Sequence, residues 1–392
     1  MSNSPQPSQV EECFCLRKPM VIRIVFLIFF AMLSDIYSYA ATPPSPLPRT
    51  GQTECYQSKQ TGIIPCTGTG QDGDTITGVV WPKPRFADNG NQTMTDRLTG
   101  LVWTKDANIA KGLTNWQQAL DCIRNLNRLN YLGYNDWRLP NIIELESLVN
   151  KGPNLAEWLK QLGFSGVMAE HFWSSTTYAS YTKNSWSINI YGGIVASRSK
   201  QDGSYVWPVR NVKSGILSLP KTGQTSCHDG LGDVTDCTGT RQDGELQTGT
   251  AWPSPRFIDN ADQTITDSLT GLIWSKNGKA PGPTSCAPGT HKNWQEALDY
   301  IKCLNAHSFL GKKEWRLPNR NELASLVNYG STNISAWLNT QGFNNVEADS
   351  YWSSTTFTYP TWNTWRVGMH DGAVTTEAHR RSINVWPVQG GK

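Results

Sequence analysis

The chain is one unit written twice, and this constrains its fold more than any other feature. Trp81–Thr104 reads WPKPRFADNGNQTMTDRLTGLVWT and Trp252–Ser275 reads WPSPRFIDNADQTITDSLTGLIWS, with 16 of 24 positions identical. Upstream, LPRTGQTEC from Leu47 answers LPKTGQTSC from Leu219. Downstream, DWRLPNIIELESLVN from Asp136 answers EWRLPNRNELASLVN from Glu314. FWSSTT from Phe172 then answers YWSSTT from Tyr351, and VWPV closes both copies at Val206 and Val385. Eight Trp recur in order, and only Trp362 is unmatched. A repeat of about 170 residues is too long for a solenoid unit and is the size of a whole domain. The expected organisation is two tandem domains, 47–212 and 217–390, each with its own core. A cut near Gly215 is then expected to release two halves that each melt cooperatively.

The first 40 residues have the layout of a secretory signal peptide. Arg17, Lys18 and Arg23 precede the apolar run Ile24–Leu33, and the small residues Ser38 and Ala40 stand before a cut after Ala40. The apolar run is too short to span a bilayer. A Pro-rich spacer, 41–46, follows. The expected location is therefore exported: periplasm, cell surface or extracellular, and not integral to a membrane. Export permits disulfides. Cys55 and Cys66 recur as Cys227 and Cys237, so each copy is expected to hold a local bridge. Cys286 lies in an insertion that the first copy lacks and is paired with Cys303; Cys122 is left as a buried thiol.

Within each copy the pattern is α+β. Asn115 and Asn293 each begin a capping box before a segment with helical apolar spacing, with Trp116, Leu120, Ile123 and Leu126 on one face. A second helix starts at Asn141 and Asn319, with Glu144 and Glu322 three residues on. The C-terminal third of each copy reads as strands turning at Gly192-Gly193 and Asp371-Gly372. Two helices and an antiparallel meander define an α+β domain. Arg138 and Arg316 stand six residues before Glu144 and Glu322, and are expected to pin the second helix by an Arg–carboxylate pair.

The run LTGLxW, the helix opening with Trp-Gln, the WRLPN…EL element, the WSSTT box and the closing strand together resemble the C-terminal domain of the Legionella collagen-like protein family, in two tandem copies. The resemblance implies a variant of the C-type-lectin-like fold, distantly related to formylglycine-generating enzymes. It also implies an adhesin that binds sulfated glycans and trimerises. The collagen-like repeats are missing here, so the oligomeric state does not carry over. The reactive cysteine pair of the formylglycine-generating enzymes does not carry over either, because the cysteines here are read as structural.

The formal net charge of +3 is near balance and argues neither for nucleic acid nor against a polyanion, since a local patch could still be basic; no nucleic-acid partner is expected. None of the six His occupies equivalent positions in the two copies, and no GxSxG elbow or HExxH is present. The chain is therefore read as a non-enzymatic binding or adhesion protein for a glycan, possibly sulfated, or a surface protein. The alternatives are a structural component of the cell envelope and, less favoured, an enzyme of unknown type. Tyr, Trp, Asn and Lys in corresponding loops make an adaptable contact surface. They give the candidate ligand residues Tyr178, Tyr181, Lys183 and Trp186 in the first copy, and Tyr359, Trp362, Asn363 and Trp365 in the second. A further expectation is Ca²⁺, held by oxygen-bearing loop residues: Asp88, Asn89, Asn91 and Asp96, recurring as Asp259, Asn260, Asp262 and Asp267. A polar turn that bonds its own backbone is the competing reading of that loop.

Overall fold

A computed structural model describes residues 43–58, 62–150, 154–211 and 215–391, and the signal-peptide reading lies outside the described residues. The first copy begins with the hairpin β1 (Cys55–Tyr56) and β2 (Ile63–Ile64) and the single-turn helix α1 (Asp72–Thr75). Next come β3 (Phe86–Asp88), β4 (Thr93–Asp96), β5 (Leu101–Thr104) and the helices α2 (Trp116–Arg128), α3 (Ile142–Glu146) and α4 (Leu155–Gln161). The copy closes with β6 (His171–Thr177), β7 (Asn184–Asn189), β8 (Ile194–Ser199) and β9 (Val209–Asn211). The second copy repeats the series. Its elements are β10 (Cys227–His228), β11 (Val234–Thr235), α5 (Asp243–Leu246), β12 (Phe257–Asp259), β13 (Thr264–Asp267) and β14 (Leu272–Ser275). They continue with α6 (Trp294–Ala306), α7 (Arg320–Ala324), α8 (Ile334–Thr340), β15 (Ser350–Phe357), β16 (Asn363–Gly368), β17 (Val374–Ala378) and β18 (Val388–Gln389).

The local expectations and the structure agree where the residues act locally. Asn115, Asn141, Asn293 and Asn319 all close capping boxes on α2, α3, α6 and α7. Trp116, Leu120, Ile123 and Leu126 are buried along α2. The expected hairpins are β7–β8 and β16–β17, both antiparallel. Disulfides join Cys55 to Cys66, Cys227 to Cys237 and Cys286 to Cys303, and Cys122 is free. Burial pushes the Cys122 thiol up from its ordinary pKa, as befits a structural position.

The two copies form one compact body over Thr42–Lys392. A single six-stranded sheet runs β15-β16-β17-β8-β7-β6, three strands from each copy, joined where Val374 of β17 pairs with Val195 of β8. Around this joint the copies interlock. Trp186 packs edge-on against Tyr329 of the second copy at 5.3 Å between ring centroids. Gly193 (φ +74) and Gly372 (φ +88) sit at the turns that face the opposite copy. A Cβ at either would come within 2.7 Å of a valine methyl, so neither the backbone angle nor the space admits another residue.

The copies also exchange their N-terminal modules. The segment carrying β1, β2 and α1 belongs to the first copy but docks on the second. Gln52 donates from Nε2 to the carbonyl of Thr356, and Thr77 donates to Glu322 at 2.9 Å. Asp72 accepts from Thr355 at 2.6 Å and from Thr50 of its own segment. The segment carrying β10, β11 and α5 does the same in reverse: Asp243 accepts from Thr176 of the first copy at 2.7 Å and from its own Thr222. Asn141 donates to Thr248, the counterpart of Asn319 donating to Thr77. Each half of the sequence is therefore covered by a module supplied by the other half. The separate cores expected from the repeat are joined here, because the buried threonines Thr176 of β6 and Thr355 of β15 find carboxylate partners across the copies, while the serines before them bond within their own copy.

Asp72 and Asp243 are completely buried, and burial, opposed by the two Thr donors, pushes each carboxyl up to about 6. Above that pH each is ionised inside the joint, which is unfavourable. Protonation relieves this as pH falls from about 6 towards the unfolded value near 4. The gain is roughly 3 kcal/mol for each carboxyl. Relative to an Asp72→Asn, Asp243→Asn variant, the wild-type melting temperature should rise between pH 7.5 and 4.5. A difference between the two proteins that is flat across that range would contradict the assignment.

Candidate ligand-binding site

The largest aromatic exposed among the candidate ligand residues is Trp362, and the elements that hold it come from three places. Trp362 lies in the loop joining β15 to β16; its carbonyl accepts from the backbone N–H of His379 at 2.9 Å, fixing the loop against the end of β17. The His379 carbonyl in turn accepts from the N–H of Trp294, the first residue of α6. The His379 ring stacks on Trp294 at 4.2 Å, shares a hydrogen bond with Thr364 at 2.8 Å and reaches the carbonyl of Ser58 at 3.1 Å. Ser58 belongs to the exchanged module of the first copy. Burial pulls the His379 pKa down to about 4, so the ring is neutral at physiological pH.

Between these elements is a cavity of about 480 Å³ lined by Ser58, Asn293, Gln295, Trp362, Ala378, His379 and Arg380. Trp362 is 51% exposed, so its indole forms an open wall. Asn293 and Gln295 bring side-chain amides, and Arg380 a cation. Sequence reasoning found Trp362, because it is the one Trp outside the repeat. It missed Arg380, Gln295 and the ligand side of Asn293, because Asn293 already had an explanation as the cap of α6 and its side chain does accept from the Glu296 N–H.

The first copy is built differently at the same place. Lys200 stands where His379 stands. Its ammonium lies 4.0 Å over Trp116 and donates to the carbonyls of His228 and Asp229 of the exchanged hairpin. Lys183, at the place of Trp362, is exposed, and its neighbour Thr182 donates to the Gly232 carbonyl. Gln201 donates to the Gly230 carbonyl. The hairpin tip thus lies across this loop in the first copy.

The eight candidate ligand residues do not form one surface. Tyr181 and Tyr359 are exposed, at opposite copies; Tyr359 lines a separate cavity of about 260 Å³ with Asn154, Tyr191 and Phe357. Asn363 is half-buried at the start of β16, where it pairs with Ala378. Tyr178 is half-buried against Trp186. Trp186 and Trp365 require correction: both are fully buried in the joint between the copies and offer nothing to a ligand. Their Trp-in-loop context was misleading because the repeat places them at the joint, where Tyr329 of the second copy packs on Trp186 and the turn at Gly193 of the first faces Trp365; Arg320 of its own copy also lies over Trp365 at 4.4 Å.

The oxygen-rich loops are also more closed than a cation site needs. Asp96 and Asp267 are corrected: they lie at the far ends of β4 and β13, fully buried, each in a two-point ion pair with Arg85 or Arg256. Neither closes the loop before it. Asp88 accepts from the Gly90 N–H and pairs with Lys105 at 2.5 Å; Asp259 accepts from the Ala261 N–H and pairs with Lys276 at 2.5 Å. Asn89 and Asn260 bond the Thr side chains of their own hairpins, Asn91 accepts from Thr93, and Asp262 pairs with Lys312 at 3.3 Å. These are the self-bonding contacts of polar turns.

The sequence model of the Lcl C-terminal domain matches residues 92–210 and 263–389, one match in each copy and more than half of the chain in all. The chain belongs to this family, as a tandem pair. Both matches leave out the exchanged modules, which lie upstream of each. No curated protein matches the chain. Among the described residues no helix is long and apolar enough to cross a membrane, and the three disulfides fit an oxidising compartment.

Proposed function

We propose that this is an exported, non-enzymatic binding protein that takes a glycan or a glycan-bearing surface protein at the Trp362 cavity. The observation that carries the reading is the exposed indole of Trp362 on the wall of that cavity, with Asn293, Gln295 and Arg380 around it. A flat aromatic face stacks on the apolar face of a sugar ring, and side-chain amides and a guanidinium supply hydrogen bonds to its hydroxyls or to an anionic substituent. Membership of the Lcl C-terminal domain family supports a surface-binding role. The same membership leads us to read each half as a C-type-lectin-like variant. The site belongs to the second copy with one wall from the first, so ligand binding requires the joined body.

A glycan array that includes heparin, probed with the protein and with Trp362→Ala, tests this. Loss of an aromatic wall is expected to weaken binding by roughly 1–3 kcal/mol, about fivefold to a hundredfold, without moving the melting temperature. Absence of any glycan hit, or hits that Trp362→Ala leaves unchanged, would remove the site from this role.

A further inference from the structure

The second copy carries a feature with no counterpart in the first and no part in the Trp362 cavity. From Leu272 to Trp294 it has 23 residues where Leu101–Trp116 has 16. The added stretch makes a short 3₁₀ turn, Thr284–Cys286, that packs Cys286 against α6. Cys303 lies on the last turns of α6, and His307 follows one turn later as its C-cap. The His307 Nδ1 lies 3.7 Å from the Cys303 sulfur and 3.8 Å from that of Cys286. Ser285 Oγ lies 3.1 Å from the other ring nitrogen, Nε2. Cys286, Cys303 and Ser285 border a surface cavity of about 520 Å³ that Asp299 and Tyr300 also line, and His307 is itself an exposed side chain.

Those separations are informative. In a tetrahedral zinc site with Zn–S near 2.3 Å and Zn–N near 2.0 Å, the S···N edges are roughly 3.5 Å. His307 already stands about that far from both sulfurs. Only the S–S bond prevents the three from enclosing an ion, and the Cα atoms of Cys286 and Cys303 are 5.7 Å apart. Opening the bond requires the sulfurs to separate by about 2 Å, which rotation about the side chains can supply. Ser285 completes the arrangement. With its proton on Nε2, His307 donates to Ser285 Oγ and turns the Nδ1 lone pair to the sulfurs; in the disulfide form Nδ1–H can instead donate to the Cys303 carbonyl, 3.0 Å away.

We propose that Cys286, Cys303 and His307 form a redox-gated site for a soft divalent cation such as Zn²⁺, closed when the disulfide is formed and open to metal when it is reduced. A dithiol or phosphine reductant delivers two electrons to the S–S bond. With a phosphine, water supplies the oxygen of the phosphine oxide and two protons, and two thiols result. Metal binding then releases both thiol protons to solvent and takes the neutral Nδ1 of His307. Three protein donors leave one position of the tetrahedron to water.

The test uses the whole protein, reduced with a phosphine under inert gas, and Co²⁺ as the spectroscopic stand-in for zinc. The expected result is thiolate-to-cobalt charge transfer with the visible bands of a tetrahedral ion, saturating at one equivalent. A Cys286→Ser, Cys303→Ser variant, which keeps the other four mature cysteines of the two β hairpins and Cys122, should lose the signal. His307→Ala, a change at an exposed side chain, should weaken cobalt binding at least tenfold. In the oxidised protein no charge transfer should appear. The proposal is overturned by a signal that survives the double serine change, by a His307→Ala titration that superimposes on the wild type, or by loss of near-ultraviolet circular dichroism on reduction alone.

Discussion

Cleavage of the chain between its copies, at a protease site placed in 212–214, is expected to leave both fragments in one particle. They should elute together at the mass of the intact chain and melt in one transition. Each fragment carries the module that covers the other, and the six-stranded sheet crosses the joint through β8 and β17. Fragments made separately should behave differently. Without its borrowed module each would expose the Thr and Asn rows around Thr176 and Asn141, or Thr355 and Asn319, together with Trp186 or Trp365. Buried polar groups that lose their partners cost about 1–3 kcal/mol each, and several are lost at once. Gel filtration of the nicked protein, beside differential scanning calorimetry of the separate fragments, decides the matter. Two nicked fragments that separate into independently melting monomers would show that the interlock contributes little.

The second large effect is expected at Arg316. Its guanidinium makes a two-point pair with Glu322, at 2.5 and 2.8 Å, and donates to the Gly390 carbonyl at 2.6 Å. Glu322 also closes the capping box of α7 and receives Thr77 from the exchanged module. One buried carboxylate thus holds Arg316, a helix start and the other copy's segment. Arg316→Met removes the cation and leaves that carboxylate buried and unpaired, a change expected to cost about 3–5 kcal/mol. Chemical denaturation measures it. Replacing both partners, as Arg316→Met with Glu322→Leu, should recover part of the loss, because no charge is then left unpaired. Arg138 and Glu144, paired at 2.5 and 2.6 Å with Thr248 alongside, should respond in the same way.

Much of this was legible in the residues because it depends on neighbours in sequence. A capping box needs only an Asn and a Glu or Gln three positions on, so four of the eight described helix starts could be read; each copy holds four helices and not the two expected, because α1, α4, α5 and α8 are short and carry no such box. Disulfides closing short loops could be read because Cys55–Cys66 and Cys227–Cys237 recur at matching spacing. The Arg–Glu pairs could be read because each Arg stands six residues before a Glu in the first turn of a helix. The candidate site was legible only at Trp362, whose departure from the repeat marked it.

Short-range spacing was enough to read two copies, an α+β pattern in each, the starts of α2, α3, α6 and α7, and which cysteines pair, but not the short helices α1, α4, α5 and α8. That spacing is the same whichever copy a segment finally packs against. The exchange of the N-terminal modules is a matter of tertiary packing alone, since Asp72 meets Thr355 across 283 residues of chain and Asp243 meets Thr176 across 67. In a duplicated chain each module finds nearly identical partners in its own copy and in the other, so the pattern of residues cannot choose between them. The choice falls to the joint itself, where Trp186 and Trp365 are buried between copies and the ion pair of Arg320 with Glu146 links α7 to α3. That pair exists in one direction only, for Ile142 and Ala324 stand at the matching positions. A buried charge in one copy that needs its partner in the other favours the joining of unlike copies, and no spacing within either copy announces it.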